Sequence, residues 1–319
     1  MVLAAVGQIC STSSLTHNLA QCQNLAAKAA AAGAKALFLP EASDYIALNA
    51  NESLSLAQPL STSPFVLGLR SSAKQYALAI NVGVHEPSHT PSPIDPSSPQ
   101  TKLLNTLLWI APTGEITQTY SKLHLFDVDL RPTGPLLRES DSVLPGNALT
   151  SPFTCPSLLP PTSQTETPTT SSLVPQIGLQ ICFDLRFPEP SLSLTRLGAN
   201  ILVYPSAFTI PTASAGHWET LLTARAIESQ SWVIASAQYG RHNRVRKSWG
   251  ESLVIGPWGD VRARLRRFEP KNAEETAAAA AAEYEPEPEL WIGEIDMSQV
   301  EKVRREMPLK RRWDIYPQV

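Results

Sequence analysis

Hydrophobic positions follow two rhythms along this chain. Residues 2–9 form a nearly unbroken apolar run that predicts a buried strand. Beyond Ser14, the residues Leu15, Leu19, Cys22, Leu25, Ala26 and Ala29 recur at helical spacing, with Ser14 as N-cap and Gly33 as the end of the helix. A second apolar run at 36–39 predicts a strand stopped by Pro40, and this β-α-β order implies strands covered by helices on one face. The same grammar predicts a helix near 64–75, a strand near 77–84, and two strands either side of the Pro112-Thr113-Gly114 turn. Strands follow at 176–181 and 201–204 with a helix-like segment between them, then a helix over 217–230 and a strand at 232–237. Strand and helix alternate almost throughout, so the fold class is α/β.

Three stretches break the alternation: 86–101, 156–174 and 269–289, rich in Pro/Ser, Pro/Ser/Thr, and Ala/Glu with Pro. Such compositions bury too little apolar area to offset chain entropy, so they are expected as surface insertions in one domain spanning 1–319. The alanine run at 277–282 is expected to be partly helical.

Charge nearly balances, with 26 basic and 29 acidic residues, which disfavours a nucleic-acid or anionic-membrane partner and suits a small ligand. Cys10, Cys22, Cys155 and Cys182 stand at wide spacings without a CxxC pair, giving neither a zinc signature nor a disulfide framework. With no basic leader and no apolar run of about eighteen residues, the expectation is a soluble, cytoplasmic protein, with a mitochondrial form also open.

Reactive residue types concentrate where predicted strands end, which is where α/β folds place their sites. Cys182 follows the apolar run 177–181 and precedes a helix-like segment, a context that suits a nucleophile held at a sharp turn. A free thiol, with a pKa near 8.5, needs a neighbouring base or cation, and Glu41 and Lys122 can supply them. The trio suits acyl transfer. The thiol attacks an amide carbonyl, Lys122 and the backbone N–H after the cysteine steady the oxyanion, and Glu41 carries protons. Each residue alone has a plainer reading: Cys182 as a small core residue, Glu41 as a helix start, Lys122 as a surface charge. Arg186 could brace the turn by pairing with Asp184. His217 lacks partners at metal-ligand spacing, so packing or a helix-start hydrogen bond suits it, and no metal or organic cofactor is expected.

The segments F-L-P-E-A at 38–42, Y-S-K-L-H-L-F-D-V at 120–128 and I-C-F-D-L-R-F-P-E at 181–189 resemble, in the same order, the three signature segments of the nitrilase superfamily. That resemblance implies a four-layer α-β-β-α sandwich and a homodimer. It implies Glu41 as general base, Lys122 as oxyanion-stabilising cation and Cys182 as nucleophile, with Phe183 giving a backbone N–H. It also implies that Glu139, in R-E-S-D-S at 138–142, helps hold the lysine. Phe183, Arg186, Phe208, Thr209, His217 and Arg241 are expected at the substrate.

Within the superfamily, P-E-A-S-D-Y-I at 40–46, the 217–228 segment and A-Q-Y-G-R-H at 237–242 are similar to the branch that cleaves deaminated glutathione, N-(4-oxoglutaryl)-cysteinylglycine. The expected ligand is therefore a small 2-oxo acid amide. The alternatives are an ω-amidase acting on 2-oxoglutaramate or 2-oxosuccinamate, or a non-catalytic interaction protein on the same scaffold. The basic cluster Arg241, His242, Arg244, Arg246 and Lys247 could meet a substrate carboxylate or form a solvated loop. Two departures from the family pattern bear on substrate choice: Thr223 where arginine is common, and Gly216 where alanine is usual.

Overall fold

The computed structural model describes residues 2–90, 100–129, 131–132, 136–159, 173–269, 286–312 and 314–315. Its first sheet contains β1 (Leu3–Gln8), β2 (Ala36–Phe38), β3 (Ala79–Thr90), β4 (Gln100–Ile110) and β5 (Ile116–Ser121), with β8 (Val143–Leu144) beside β4. An antiparallel edge strand, β17 (Glu289–Glu294), completes it against β1. The second sheet runs in the order β16 (Val261–Arg264), β15 (Leu253–Ile255), β12 (Trp232–Ala235), β11 (Ile201–Val203), β10 (Gln176–Leu179), β9 (Phe153–Thr154). Two antiparallel pairs stand apart from the sheets: β6 (Asp127–Asp129) with β7 (Leu136–Arg138), and β13 (Tyr239–Arg241) with β14 (Lys247–Trp249).

Side-chain parity explains the layering, because successive strand residues face opposite sides. Ala4, Val6, Ala36, Phe38, Leu107 and Trp109 share one buried core with Ile177, Leu179, Val203 and Ile234 of the second sheet. The intervening Ala5, Leu37, Ile80, Val82 and Leu108 face the other way, into a core built with α1 (Leu15–Ala31) and α3 (Pro64–Tyr76). On the far side, α4 (Pro188–Arg196) and α6 (His217–Ser229) cover the second sheet. Strands buried on both faces read as apolar runs rather than alternations, as residues 36–39 do. The result is the expected α-β-β-α sandwich. Each large apolar side chain in these layers contributes roughly 1.5–3 kcal/mol by leaving water.

Local signals set most boundaries. Ser14 caps α1 by accepting from His17 N–H, and Gly33, at φ 85°, takes the left-handed conformation just beyond the helix. The shorter helices are α2 (Ala50–Leu56), capped by Asn49, α5 (Ile210–Ser214) and α7 (Met297–Glu306), capped by Asp296. No helix among the described residues is long and apolar enough to cross a membrane.

The strand expected at 77–84 continues to Thr90, pairing with β4 from Ile80↔Ile110 as far as Thr90↔Gln100. Most of the 86–101 stretch flanking residues 91–99 is therefore ladder, formed despite Pro87. In the other two stretches, Pro156–Leu158 forms a 3-10 turn and Glu289 opens β17. The alanine run at 277–282 lies outside the described residues.

Candidate active site

Four strand ends bring Glu41, Lys122, Glu139 and Cys182 together. Glu41 follows β2 on a turn, not a helix, and its backbone is fastened on two sides. Gly83 N–H donates to Pro40 O (3.0 Å) and Ser43 N–H donates to Gly83 O (2.8 Å). Gln238 Nε2 donates to the carbonyls of Glu41 (3.0 Å) and Ala42 (3.1 Å). A Cβ on Gly83 would sit 2.6 Å from Glu41 Cα, so only glycine allows this approach. Lys122 follows β5, its N–H donating to Asn105 O at 2.9 Å. Glu139 follows β7, and Phe126 N–H donates to its Oε2 at 2.7 Å.

The Lys122 ammonium lies between the two carboxyls, donating to Glu41 Oε1 (3.1 Å) and to Glu139 Oε2 (2.9 Å). Asn105 Nδ2 bridges the same pair, at 2.7 Å from Glu41 Oε1 and 3.3 Å from Glu139 Oε1. The second oxygen of Glu41 accepts from Ala207 N–H at 2.7 Å. Glu41 and Lys122 are almost fully buried. Such a pair survives desolvation because both Glu41 oxygens and the Lys122 ammonium have hydrogen-bond partners.

These partners set the protonation states. Burial pushes the Glu41 carboxyl upward, but Lys122 and the hydrogen bonds from Cys182, Asn105 and Lys122 outweigh it and hold the group below its ordinary 4.5. Burial works against the Lys122 charge, yet Glu139 and Glu41 hold its pKa well above the ordinary value. The Cys182 thiol is pushed far up, first by burial and then by the Glu41 charge, with Lys122 pulling the other way. The resting site therefore holds a neutral thiol beside an ionised carboxylate and an ammonium.

Cys182 sits at φ 43°, a left-handed conformation that costs an L-residue about 1–2 kcal/mol, at the start of a 3-10 turn over Cys182–Arg186. Its N–H donates to Pro205 O (3.0 Å), and Asp184 anchors the turn from below. The carboxyl of Asp184 is completely buried and accepts from Tyr120 O–H (2.7 Å), Ile181 N–H (3.0 Å) and His124 N–H (3.0 Å). His124 Nδ1 lies a further 2.7 Å from it. The expected Arg186–Asp184 pair does not form, because Tyr120, His124 and backbone donors already occupy Asp184. The brace on the outer side is Arg225, whose Nη2 donates to Leu185 O at 2.7 Å.

A buried carboxylate, ammonium and thiol at one strand-end cluster can take a proton, steady an oxyanion and attack a carbonyl. The family model described as carbon-nitrogen hydrolase matches residues 3–305. The chain belongs to the carbon–nitrogen hydrolase family. It is 42% identical over 320 residues to a probable hydrolase, nit2, of Schizosaccharomyces pombe, covering 100% of both chains. It is 37% identical to deaminated glutathione amidase of Bos taurus, over 98% of this chain and 83% of that one. The crystal structure of the C. elegans NitFhit protein superposes with a TM-score of 0.77 at 34% identity, covering 99% of this chain and 66% of that one. The chain is thus a hydrolase of carbon–nitrogen amide bonds.

In this carbon–nitrogen hydrolase, Phe183, Arg186, Phe208 and His217 converge on one another next to the Cys182 turn. The Arg186 guanidinium lies over the Phe183 ring (5.6 Å) and the Phe208 ring (5.8 Å), and its Nη1 is 3.2 Å from His217 Nδ1. His217, at the first position of α6, is exposed and turned to Arg186 rather than packed or bonded to the helix start. Thr209 turns aside to Thr212, 2.8 Å between hydroxyls.

Arg241 stands on the separate β13–β14 pair, where its carbonyl accepts from the Cys10 thiol at 3.4 Å. The basic cluster does not act as a unit. His242 is buried between Ser11 O (2.9 Å) and Ser248 Oγ (2.8 Å), and burial, helped by Arg246, pushes it down to about 3. Arg244 and Arg246 are exposed. Gly216 is explained by its φ of 84°, which alanine would adopt only with strain. Thr223 lies beside the Gly259 turn.

The sequence reading missed Asn105, the Tyr120–Asp184–His124 network and Ala207 N–H. Asn105 was findable as a lone amide inside the apolar strand 103–108. The others depend on contacts between distant segments.

Proposed function

We propose that the protein is an amidase of small 2-oxo acid amides, foremost N-(4-oxoglutaryl)-cysteinylglycine, working through a Cys182 thioester. The observation that carries the mechanism is the buried Glu41–Lys122 pair, held by Glu139, with the Cys182 thiol close enough to feel both charges. The substrate choice is supported by the 37% identity to the bovine deaminated glutathione amidase across 98% of the chain.

Cys182 Sγ attacks the amide carbon as its proton passes to Glu41. The carbonyl oxygen becomes an oxyanion that Lys122 and Phe183 N–H stabilise, and a single donor in that role is typically worth on the order of 10² to 10³ in rate. The C–N bond then breaks, and the proton on Glu41 goes to the departing amine. Water attacks the thioester while Glu41 takes its proton, and collapse releases the acid and restores the thiol. The sum is one amide and one water giving one carboxylic acid and one amine. Glu139 holds Lys122 throughout, and Arg186 is placed to meet the substrate at the mouth.

The test is 2-oxoglutarate release from N-(4-oxoglutaryl)-cysteinylglycine and from 2-oxoglutaramate, by wild type and by Cys182→Ala. Preference for the peptide amide, abolished in the variant, is the expected result. Preference for 2-oxoglutaramate would keep the mechanism and move the specificity to an ω-amidase. Turnover of neither would overturn the substrate class, and turnover surviving in Cys182→Ala would overturn the nucleophile.

A further inference from the structure

One ionisable side chain beside the catalytic cluster is used by none of the steps above. His85 lies on β3 directly opposite Asn105 of β4. Directly opposed residues of an antiparallel pair point to the same face, with Cβ atoms about 4.5–5.5 Å apart. Asn105 bridges Glu41 and Glu139 on that face. The parity of β3 agrees, since Val82 and Val84 turn into the helix-side core and leave Gly83 and His85 facing the site.

The ring is held in one orientation. Asp44 Oδ2 accepts from His85 N–H at 2.7 Å, Asp44 Oδ1 lies 3.0 Å from Nδ1, and the Tyr45 ring stacks on the imidazole at 4.4 Å between centroids. Asp44 therefore fixes Nδ1 as the donor to itself and turns Nε2 away, with no hydrogen-bond partner among the described residues. The side chain keeps 14% exposure. Burial opposes its charge, but Asp44, Glu41 and Glu139 raise its pKa above the ordinary 6.5, which favours the form in which Nε2 donates.

An anionic acyl group entering this site meets two carboxylates, Glu41 and Glu139, and Lys122 is already committed to both. We infer that His85 reads the substrate, its Nε2 donating to the terminal carboxylate or 2-oxo group of the acyl chain, while Asp44 and Tyr45 hold the ring. The inference rests on the amide reading above and specifies which part of the substrate the protein selects. It assigns to β3 the acidic end of the acyl group, and leaves Arg186 and His217 at the mouth for the amine side.

The test separates binding from turnover. Glutarate and 2-oxoglutarate are titrated calorimetrically into Cys182→Ala and into Cys182→Ala/His85→Gln, and kcat/KM is measured for 2-oxoglutaramate and for neutral pentanamide in wild type and His85→Gln. Losing one charge-assisted bond should weaken binding of the two acids, and kcat/KM for 2-oxoglutaramate, by roughly ten- to a hundredfold, with pentanamide hydrolysis changed less than about threefold. Equal losses on both amides would make His85 a structural residue and overturn the inference, as would unchanged acid binding. If wild type cleaves neither amide yet the acids bind through His85, the amidase substrate reading fails while the carboxylate site stands.

Discussion

Replacing Asp184 by asparagine changes one oxygen to an NH₂ group and nothing in shape, and the structure says what that costs. The Oδ2 side receives Tyr120 O–H and Ile181 N–H, and the Oδ1 side receives His124 N–H and faces its Nδ1. Tyr120 can rotate its hydroxyl hydrogen and His124 can move its ring proton, but a backbone N–H cannot become an acceptor. Whichever way the amide is turned, one backbone N–H, the buried one of Ile181 or the half-buried one of His124, points at an NH₂. A stripped buried donor costs about 1–3 kcal/mol, and the weakened bonds on the other side bring the total to roughly 2–4 kcal/mol. For a chain of this size that lowers the thermal midpoint by roughly 3–6 °C.

The same substitution loosens the turn that holds Cys182 at positive φ, so kcat should fall more than tenfold. Tyr120→Phe is the internal comparison, because it removes one donor to Asp184 and the weak acceptor of Leu123 N–H (3.3 Å) but leaves Ile181 N–H with its acceptor. Its cost should be nearer 1 kcal/mol. Scanning calorimetry and steady-state rates on the two variants decide the matter. An Asp184→Asn protein melting within about 1 °C of wild type with its activity intact would refute the claim that these donors hold the nucleophile turn.

Two further perturbations follow from the packing. Gly83→Ala places a methyl 2.6 Å from Glu41 Cα and 3.1 Å from Pro40 O, so the base loop must shift; activity should fall at least tenfold while far-ultraviolet dichroism stays native, and an active variant would show the loop to be slack. His242 is neutral when folded and takes a proton only near 3, whereas the unfolded chain takes it near 6.5. Its contribution is therefore whole above 6.5 and lost as pH falls towards 3, by up to about 4–5 kcal/mol at 1.36 kcal/mol per pH unit. His242→Gln should flatten the acid slope of stability measured by urea unfolding between pH 7.5 and 4.5, and an unchanged slope would refute the assignment.

Much of this architecture was legible in the residue pattern because its strands are buried on both faces and its helices carry amphipathic stripes, the first with a cap at Ser14. What escaped shares a physical cause. β17 is an edge strand whose identity comes from pairing with β1, some 280 residues away in sequence, and β6–β7 is a short exposed pair without apolar periodicity. At the site, the segment ends carrying Glu41, Lys122, Glu139 and Cys182 were readable, and they do converge. Arg186 misled because its neighbour in sequence, Asp184, is taken by partners from residues 120–124. The basic run at 241–247 divides because charge count says nothing about burial: Arg244 and Arg246 are exposed, as a solvated loop requires, while His242 is sealed behind Ser11 and Ser248.

The raised thiol pKa fits the proposed chemistry better than a preformed thiolate would. Glu41, Glu139 and Lys122 together carry a net single negative charge in a buried site. Ionising Cys182 without a nearby acceptor for its proton would add a second, and burial penalises that heavily. If the proton moves to Glu41 as sulfur attacks, the total is unchanged: the charge leaves the carboxylate and reappears on the substrate oxygen. Lys122 already touches Glu41, so it can attend the charge before and after the step with little reorganisation, the condition under which a fixed cation lowers a barrier most. Glu139 keeps the ammonium paired after Glu41 is protonated, which accounts for two carboxylates around one lysine. The cluster moves charge rather than creating it, and for that a neutral resting thiol is the suitable starting state.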